Sequence, residues 1–196
     1  MQKIILASAS PRRRELLAQI GLEFEIITSD LDESFDNAMS CEDIVKKLAY
    51  EKANAVARQV KDSSIIIGAD TVVYYNGAIL GKPENEAHAR SMLMLLSGNT
   101  HQVLTGFAII RPIDNKVAVD YEKTNVTFRQ LGDDEIDMYI KTKEPLDKAG
   151  AYGIQGLGAT FVSSIQGDYN NVVGLPLCSL SQCLENEFSI KILENT

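Results

Sequence analysis

The sequence predicts an α/β fold, and three observations carry that prediction. The apolar run Ile4-Ile5-Leu6-Ala7 passes directly into helix-start signals at Ser10 and Pro11. An amphipathic stretch from Ser40 to about Val60 leads into Ser64-Ile65-Ile66-Ile67, a continuous apolar run of strand length. Two longer strand-like segments, His101 to Arg111 and Val117 to Leu131, then lie between helical patterns that begin at Glu84 and at Asp133.

In chain order, Ile4 to Ala7 reads as a buried strand. Ser10 supplies an N-cap and Pro11 the first position of a helix whose Leu16, Leu17 and Ile20 share one face. A helix start presents unpaired N–H groups and the positive end of the dipole, which suits a phosphate. First turns favour acidic side chains, yet this one carries Arg12, Arg13 and Arg14. Each opposes the dipole at a cost of about 0.3–1 kcal/mol. Either an arriving anion neutralises them, or they are solvated surface arginines. Gly21 closes the helix, and Phe24 to Thr28 alternates as a strand. The acidic loop Ser29 to Ser34 is either a solvated turn or the source of one carboxylate, Glu33, that helps to hold a cation.

Ser40 and Asp43 resemble a capping box opening a long helix with the stripe Ile44, Val45, Leu48, Ala49, Ala53, Val56, Ala57 and Val60. Lys52 falls within this stripe, where it either snorkels to water or meets an anion. Asp70 lies between the apolar runs 64–67 and 72–75. An unpaired carboxylate is costly to bury there, so Asp70 is expected at a strand end or bulge, facing a cation or water. Asn76-Gly77 marks a hairpin, and Lys82 stands between Gly81 and Pro83 just beyond it. Gly81-Lys82-Pro83 is no P-loop, because the GxxxxGK[ST] spacing fails.

Residues 84–97 read as a helix with Ala89, Leu93 and Leu96 inward and Gly98 as its stop. Asp133 is expected to cap a short helix bearing Ile136, Tyr139 and Ile140. The glycine-dense stretch 143–158 has neither helical nor strand period. It is either a flexible surface loop or a loop for close approach to a ligand, with Gln155 offering both donor and acceptor to a base edge. Ala159 to Val162 reads as a strand, Leu177 to Leu184 as a last helix, and Phe188 to Leu193 as an edge strand.

The chain has 196 residues, 45% of them hydrophobic, and a formal charge of −8. That charge repels a nucleic-acid backbone, and without aromatic-basic interleaving it argues against a nucleic-acid partner. No apolar run reaches a membrane span and no signal-peptide core begins the chain, so a cytoplasmic protein without membrane contact is expected. Cys41, Cys178 and Cys183 lack CxxC spacing and read as reduced, half-buried packing residues. With only His88 and His101 available, a metal would be held by oxygen, which means Mg²⁺ or Mn²⁺.

The residues left without a structural reason are cations (Arg12, Arg13, Lys52, Lys82), carboxylates (Asp70, Glu33) and small hydroxyls (Ser8, Ser10, Thr71). Together they suit hydrolysis of a polyphosphate: cations hold the phosphates, and carboxylates bring a metal and activate water.

Ser8-Ala9-Ser10-Pro11-Arg12-Arg13, Gly68-Ala69-Asp70-Thr71, Gly81-Lys82-Pro83, Glu144-Pro145, the run Asp147 to Gly156, and Gly167-Asp168-Tyr169 with Gly174-Leu175-Pro176 closely resemble the Maf-like nucleoside triphosphate pyrophosphatases, in order and almost end to end. The resemblance implies one domain over residues 1–196, with an elongated mixed sheet flanked by helices and two lobes around a central cleft, as in inosine triphosphate pyrophosphatases. It implies metal-dependent cleavage of a nucleoside triphosphate to the monophosphate and pyrophosphate. By position, Asp70 resembles the catalytic base, and Ser8, Ser10, Arg12, Arg13, Lys52 and Lys82 the phosphate contacts. Glu33 and Asp70 match the metal side. Thr71, Gln155 and Arg12 match the branch that prefers dTTP and UTP. The resemblance further implies homodimers, removal of modified pyrimidine nucleotides and a link to arrest of septum formation. A rival reading is a non-catalytic nucleotide sensor that regulates cell division.

Overall fold

In the computed structural model, which describes residues 2–28 and 39–194, strand β1 (Ile4–Leu6) is fully buried and leads into helix α1 (Pro11–Gln19). Ser10 caps α1 as expected. Its backbone is extended, its Oγ accepts from the Arg13 N–H at 3.5 Å, and Pro11 occupies the first turn, where its missing N–H costs nothing. Leu16 and Leu17 face inward, and Gly21 follows in the left-handed region at φ 73°. Strand β2 (Phe24–Ile26) is shorter than the sequence alternation implies, pairing with β1 over three residues. The acidic loop with Glu33 lies outside the described residues.

Helix α2 (Cys41–Ala57) starts at Ser40, whose Oγ accepts from the Asp43 N–H at 3.1 Å and donates to the Asp43 carboxylate at 2.8 Å. It buries the predicted stripe from Ile44 to Ala57. Strand β3 (Ile65–Tyr75) is continuous through 11 residues. Asp70 is therefore not at a strand end; it faces a cation, as expected, but from within the strand, where Lys52 meets its charge. Asn76 and Gly77 both take positive φ, the geometry of a tight hairpin turn, and β4 (Ala78–Leu80) returns along β3.

Helix α3 (Glu86–Leu96) begins two residues later than the pattern suggests, since the Asn85 side chain caps it by accepting from the His88 N–H at 2.9 Å. Strands β5 (Thr100–Arg111) and β6 (Lys116–Phe128) follow. Helix α4 (Asp133–Lys141) takes Gly132, not Asp133, as its N-cap. The stretch expected to be irregular contains three 3₁₀ turns, Glu144–Asp147, Ala149–Ala151 and Gly156–Phe161. The last of them displaces the expected strand, so β7 runs Val162–Gln166. Helices α5 (Tyr169–Val173) and α6 (Leu177–Phe188) complete the regular elements. The edge strand expected from Phe188 does not form: Ser189 turns left-handed at φ 59°, and Ile192–Glu194 is a 3₁₀ turn. All three cysteines are free thiols, and Cys178 is exposed rather than half-buried.

The strands order as β2-β1-β3-β5-β6-β7, with β4 beside β3. The sheet is mixed: β1 pairs in parallel with β2 and β3, while β4 on β3 and β7 on β6 are antiparallel. The chain divides into two compact units, one of residues 1–70, 105–122 and 174–196, the other of residues 71–104 and 123–173. In the first unit α2 lays Ala49, Ala53, Val56 and Ala57 against Ile5, Ala7, Ile66, Ala108 and Ile110. In the second, α3 and α4 pack Leu93, Leu96, Ile136 and Tyr139 with Val126, Phe128, Tyr152 and Phe161. No helix among the described residues is long and apolar enough to cross a membrane.

Candidate active site

The side chains on β3 alternate, so Ile66, Gly68 and Asp70 share the face that meets α2. Gly68 makes the close approach possible. A Cβ there would lie 2.5 Å from the Ala49 carbonyl oxygen and 2.9 Å from the Ala53 Cβ. Gly106 on β5 does the same for Val45, whose carbonyl oxygen would be 2.3 Å from an added Cβ. With the helix this near, Lys52 reaches over the strand and its Nζ donates to Asp70 Oδ1 at 2.6 Å. Both side chains are largely buried, 16% and 11% exposed. Of the two readings of Lys52, the anion is the one observed.

At the start of α1, Ser8 Oγ accepts from the Ser10 N–H at 3.3 Å and from Arg13 Nη1 at 3.2 Å, while Arg13 Nε donates to the Gly174 carbonyl at 2.8 Å. Arg13 therefore ties the loop after β1 to the segment before α6. Arg12 sits half-buried beside it in the first turn, and Arg14 is exposed.

Asp70 is the last residue of the first unit and Thr71, half-buried, the first of the second. In the second unit Lys82 is exposed in a bend two residues past Leu80, which pairs with Val73. Gln155 is exposed at the head of the 3₁₀ turn Gly156–Phe161. The loop that carries it is fixed, not floppy. Glu144 accepts the Leu157 and Gly158 N–H groups, each at 3.1 Å, and the Tyr139 hydroxyl at 3.0 Å. Burial, and next the Glu144 charge, push the Tyr139 hydroxyl well above its ordinary pKa, so it is a neutral donor. Lys148 turns inward, donating to the Glu144 carbonyl at 2.6 Å. Of the residues picked out from the sequence, Ser8, Ser10, Arg12, Arg13, Lys52 and Asp70 fall in the first unit, and Thr71, Lys82 and Gln155 in the second.

A family model described as Maf-like protein matches residues 3–187. The chain belongs to the Maf family. Its curated relatives include a dTTP/UTP pyrophosphatase of Alkaliphilus oremlandii, 54% identical over 193 residues that cover 98% of this chain and all of the relative. A Bacillus cereus protein of the same name is 55% identical over 192 residues, 98% of each chain. Among solved structures, the Ham1 protein of Staphylococcus aureus covers 82% of this chain and 80% of its own at 16% identity, with a TM-score of 0.44. That likeness is too slight to bear on the fold, which rests on the strands and helices themselves.

For a Maf chain the chemistry of the donor set decides what metal fits. Among the described residues no three His, Cys, Asp or Glu side chains come together as a cage. Mg²⁺ does not need one, since it is commonly held by one or two carboxylates together with substrate phosphates and water. Asp70 takes one hydrogen bond among the described residues, on Oδ1, and its carboxylate fits such a hard-oxygen role.

Reading the sequence alone misses Glu144 and Tyr139. Tyr139 sits at a core position of α4, and its packing hides the hydroxyl's role. Glu144 carries no helical or strand pattern; it stands out in the sequence within the Glu144-Pro145 motif, which does not reveal that its carboxylate accepts the Leu157 and Gly158 N–H groups 13 and 14 residues on.

Proposed function

We propose that this chain is a cytoplasmic nucleoside triphosphate pyrophosphatase that hydrolyses dTTP and UTP, and modified pyrimidine triphosphates, to the monophosphate and pyrophosphate, with residues 1–196 acting as one catalytic domain. The observation that carries this reading is the Lys52–Asp70 pair. Holding a carboxylate inside an apolar strand is costly, and two buried charges stabilise a fold less well than apolar residues of the same volume. The arrangement suits a carboxylate held in place to take a proton from water beside anionic phosphates. The names and near-complete coverage of the relatives support the same reading.

In this mechanism Asp70 takes a proton from water as the water oxygen bonds to the α-phosphorus. The bond from that phosphorus to the bridging oxygen breaks, and pyrophosphate leaves. Lys52 orients Asp70, and with Lys82, Arg12 and Arg13 it neutralises charge on the phosphates. Ser8 and Ser10 offer hydroxyl donors to the phosphates. Thr71, Gln155 and Arg12 set the preference for thymine and uracil. Asp70 and Glu33 would hold Mg²⁺ or Mn²⁺, which when bound supplies further neutralisation of phosphate charge.

The test is pyrophosphate release from a panel of canonical and modified triphosphates with Mg²⁺, Mn²⁺ or chelator, beside Asp70→Asn. Release from dTTP and UTP is expected, dependent on metal and reduced by about 10²–10⁴ in the variant, the span of a lost general base. Near-normal turnover by Asp70→Asn would sink the mechanism. If dTTP binds but no triphosphate is cleaved, the chain is a sensor instead.

A further inference from the structure

The loop from Gly153 to Gly158 is held at both ends by two side chains. The Gly153 N–H donates to the Tyr139 hydroxyl at 3.3 Å, and that hydroxyl donates to Glu144 Oε1 at 3.0 Å. At the other end the Gly158 N–H also reaches Oε1, and the Leu157 N–H reaches Oε2. The backbone is folded so tightly around the carboxylate that side chains are excluded. A Cβ on Gly158 would lie 2.5 Å from the Gly153 carbonyl oxygen and 2.7 Å from the Tyr139 hydroxyl, and one on Gly156 2.9 Å from Glu144 Oε2. Tyr139 itself is anchored edge-on to Phe161, ring centroids 4.8 Å apart, and Lys148 pins the Glu144 carbonyl.

What this clamp displays is Gln155, exposed between Ile154, which is buried, and Gly156. We infer that Glu144 and Tyr139 are positioning residues for base selection: by fixing the backbone on both sides of Gln155, they set how sharply its amide discriminates among nucleobases. The inference rests on the reading that Gln155 meets the base. An amide that must present its oxygen and nitrogen in one orientation selects well only if its backbone is held in advance. Released, the same side chain adapts to the wrong base and discrimination falls.

The test compares the full-length protein with Glu144→Gln, Tyr139→Phe and Gln155→Ala, measuring kcat and KM for dTTP, UTP, dCTP and dATP, and amide exchange by NMR. Glu144→Gln places an amide N–H against the Leu157 N–H, and Tyr139→Phe removes only the hydroxyl while keeping the ring on Phe161. Both are expected to speed exchange at Gly153, Leu157 and Gly158. Both are expected to lower the dTTP to dCTP ratio of kcat/KM by about tenfold or more, through KM for dTTP, with kcat nearly unchanged. If exchange quickens but the ratio holds in both variants, the clamp is scaffold only and the inference falls. Should Glu144→Gln fail to fold, Tyr139→Phe decides alone. An unchanged ratio in Gln155→Ala overturns the base-reading role and this inference with it. A changed ratio there, with none in the clamp variants, overturns the clamp and leaves that role standing.

Discussion

Gly68 on β3 lies so close to α2 that a Cβ on it would be 2.5 Å from the Ala49 carbonyl oxygen and 2.7 Å from the Ala53 nitrogen. Two residues along the same face stands Asp70, and one residue before Ala53 stands Lys52. The glycine thus sets the distance across which the ion pair forms. Gly68→Ala would push the helix away from the strand, because its neighbours are backbone and cannot swing aside. The expected cost is about 3 kcal/mol, at the upper end for overpacking, and it is read from a urea melt. Turnover of dTTP should fall as well, since Lys52 is carried outward with the helix.

The Lys52–Asp70 pair makes a second prediction, about asymmetry. Lys52→Met leaves a carboxylate buried without its cation, and breaking such a pair costs about 3–5 kcal/mol. Residual exposure of both side chains, 16% and 11%, puts the expected loss at the low end. Adding Asp70→Asn to Lys52→Met removes the stranded charge. The double variant should therefore be more stable than Lys52→Met alone, although both lack turnover. A double variant that melts lower than Lys52→Met would show that the Asp70 carboxylate is not left stranded when the lysine is removed, against the charge-pair reading.

Sequence legibility followed how local the cause was. Ser10, Pro11 and Gly21 bound α1 through their own backbones, and Asn76-Gly77 turns a hairpin by its φ preferences, so both were readable from single positions. The sequence around Asp70 implies a cation facing it but not that the strand continues through it, because the partner that makes this possible is 18 residues away on a helix. Lys52 in an apolar stripe was the visible half of that pair, and the stripe alone left snorkelling equally open. The stretch 143–158 looked irregular because its order comes from a single carboxylate, Glu144, accepting backbone N–H groups, which leaves no periodic trace. Ala159 to Phe161, β-rich by composition, were claimed by a 3₁₀ turn continuous with that loop.

Arg13 is bound to the fold on two sides, through Gly174 and Ser8, in a way a lysine cannot copy. A guanidinium serves both with separate N–H groups in fixed directions, whereas an ammonium is a single point on a flexible stem. Arg13→Lys should therefore raise KM for dTTP and also lower the melting temperature by a few degrees, the shift expected for about 1 kcal/mol in a chain of this size. Arg12→Lys serves as the comparison, expected to raise KM with little change in melting. Equal melting temperatures for the two variants would remove the tethering role from Arg13.

His101 gives the chain a pH dependence of stability away from the proposed chemistry. It is 1% exposed, edge-on to Phe128 and Tyr152, with Nε2 2.8 Å from the Tyr152 hydroxyl. Burial pushes its pKa down to about 4. In the unfolded chain the imidazole takes a proton near pH 6.5. Between those two values the unfolded state binds the extra proton, so the contribution is flat above about pH 6.5 and stability is lost as pH falls toward 4. At pH 5 the loss from this one group is about 2 kcal/mol. Carboxylates titrate in the same range, so the informative quantity is the difference between wild type and His101→Phe in urea melts at pH 7 and pH 5. His101→Phe strands the Tyr152 hydroxyl and starts less stable at pH 7. On moving to pH 5 it should gain about 2 kcal/mol relative to wild type, because it no longer carries the titrating ring. A difference that stays constant between the two pH values would mean that His101 holds its proton equally well folded and unfolded, against its burial.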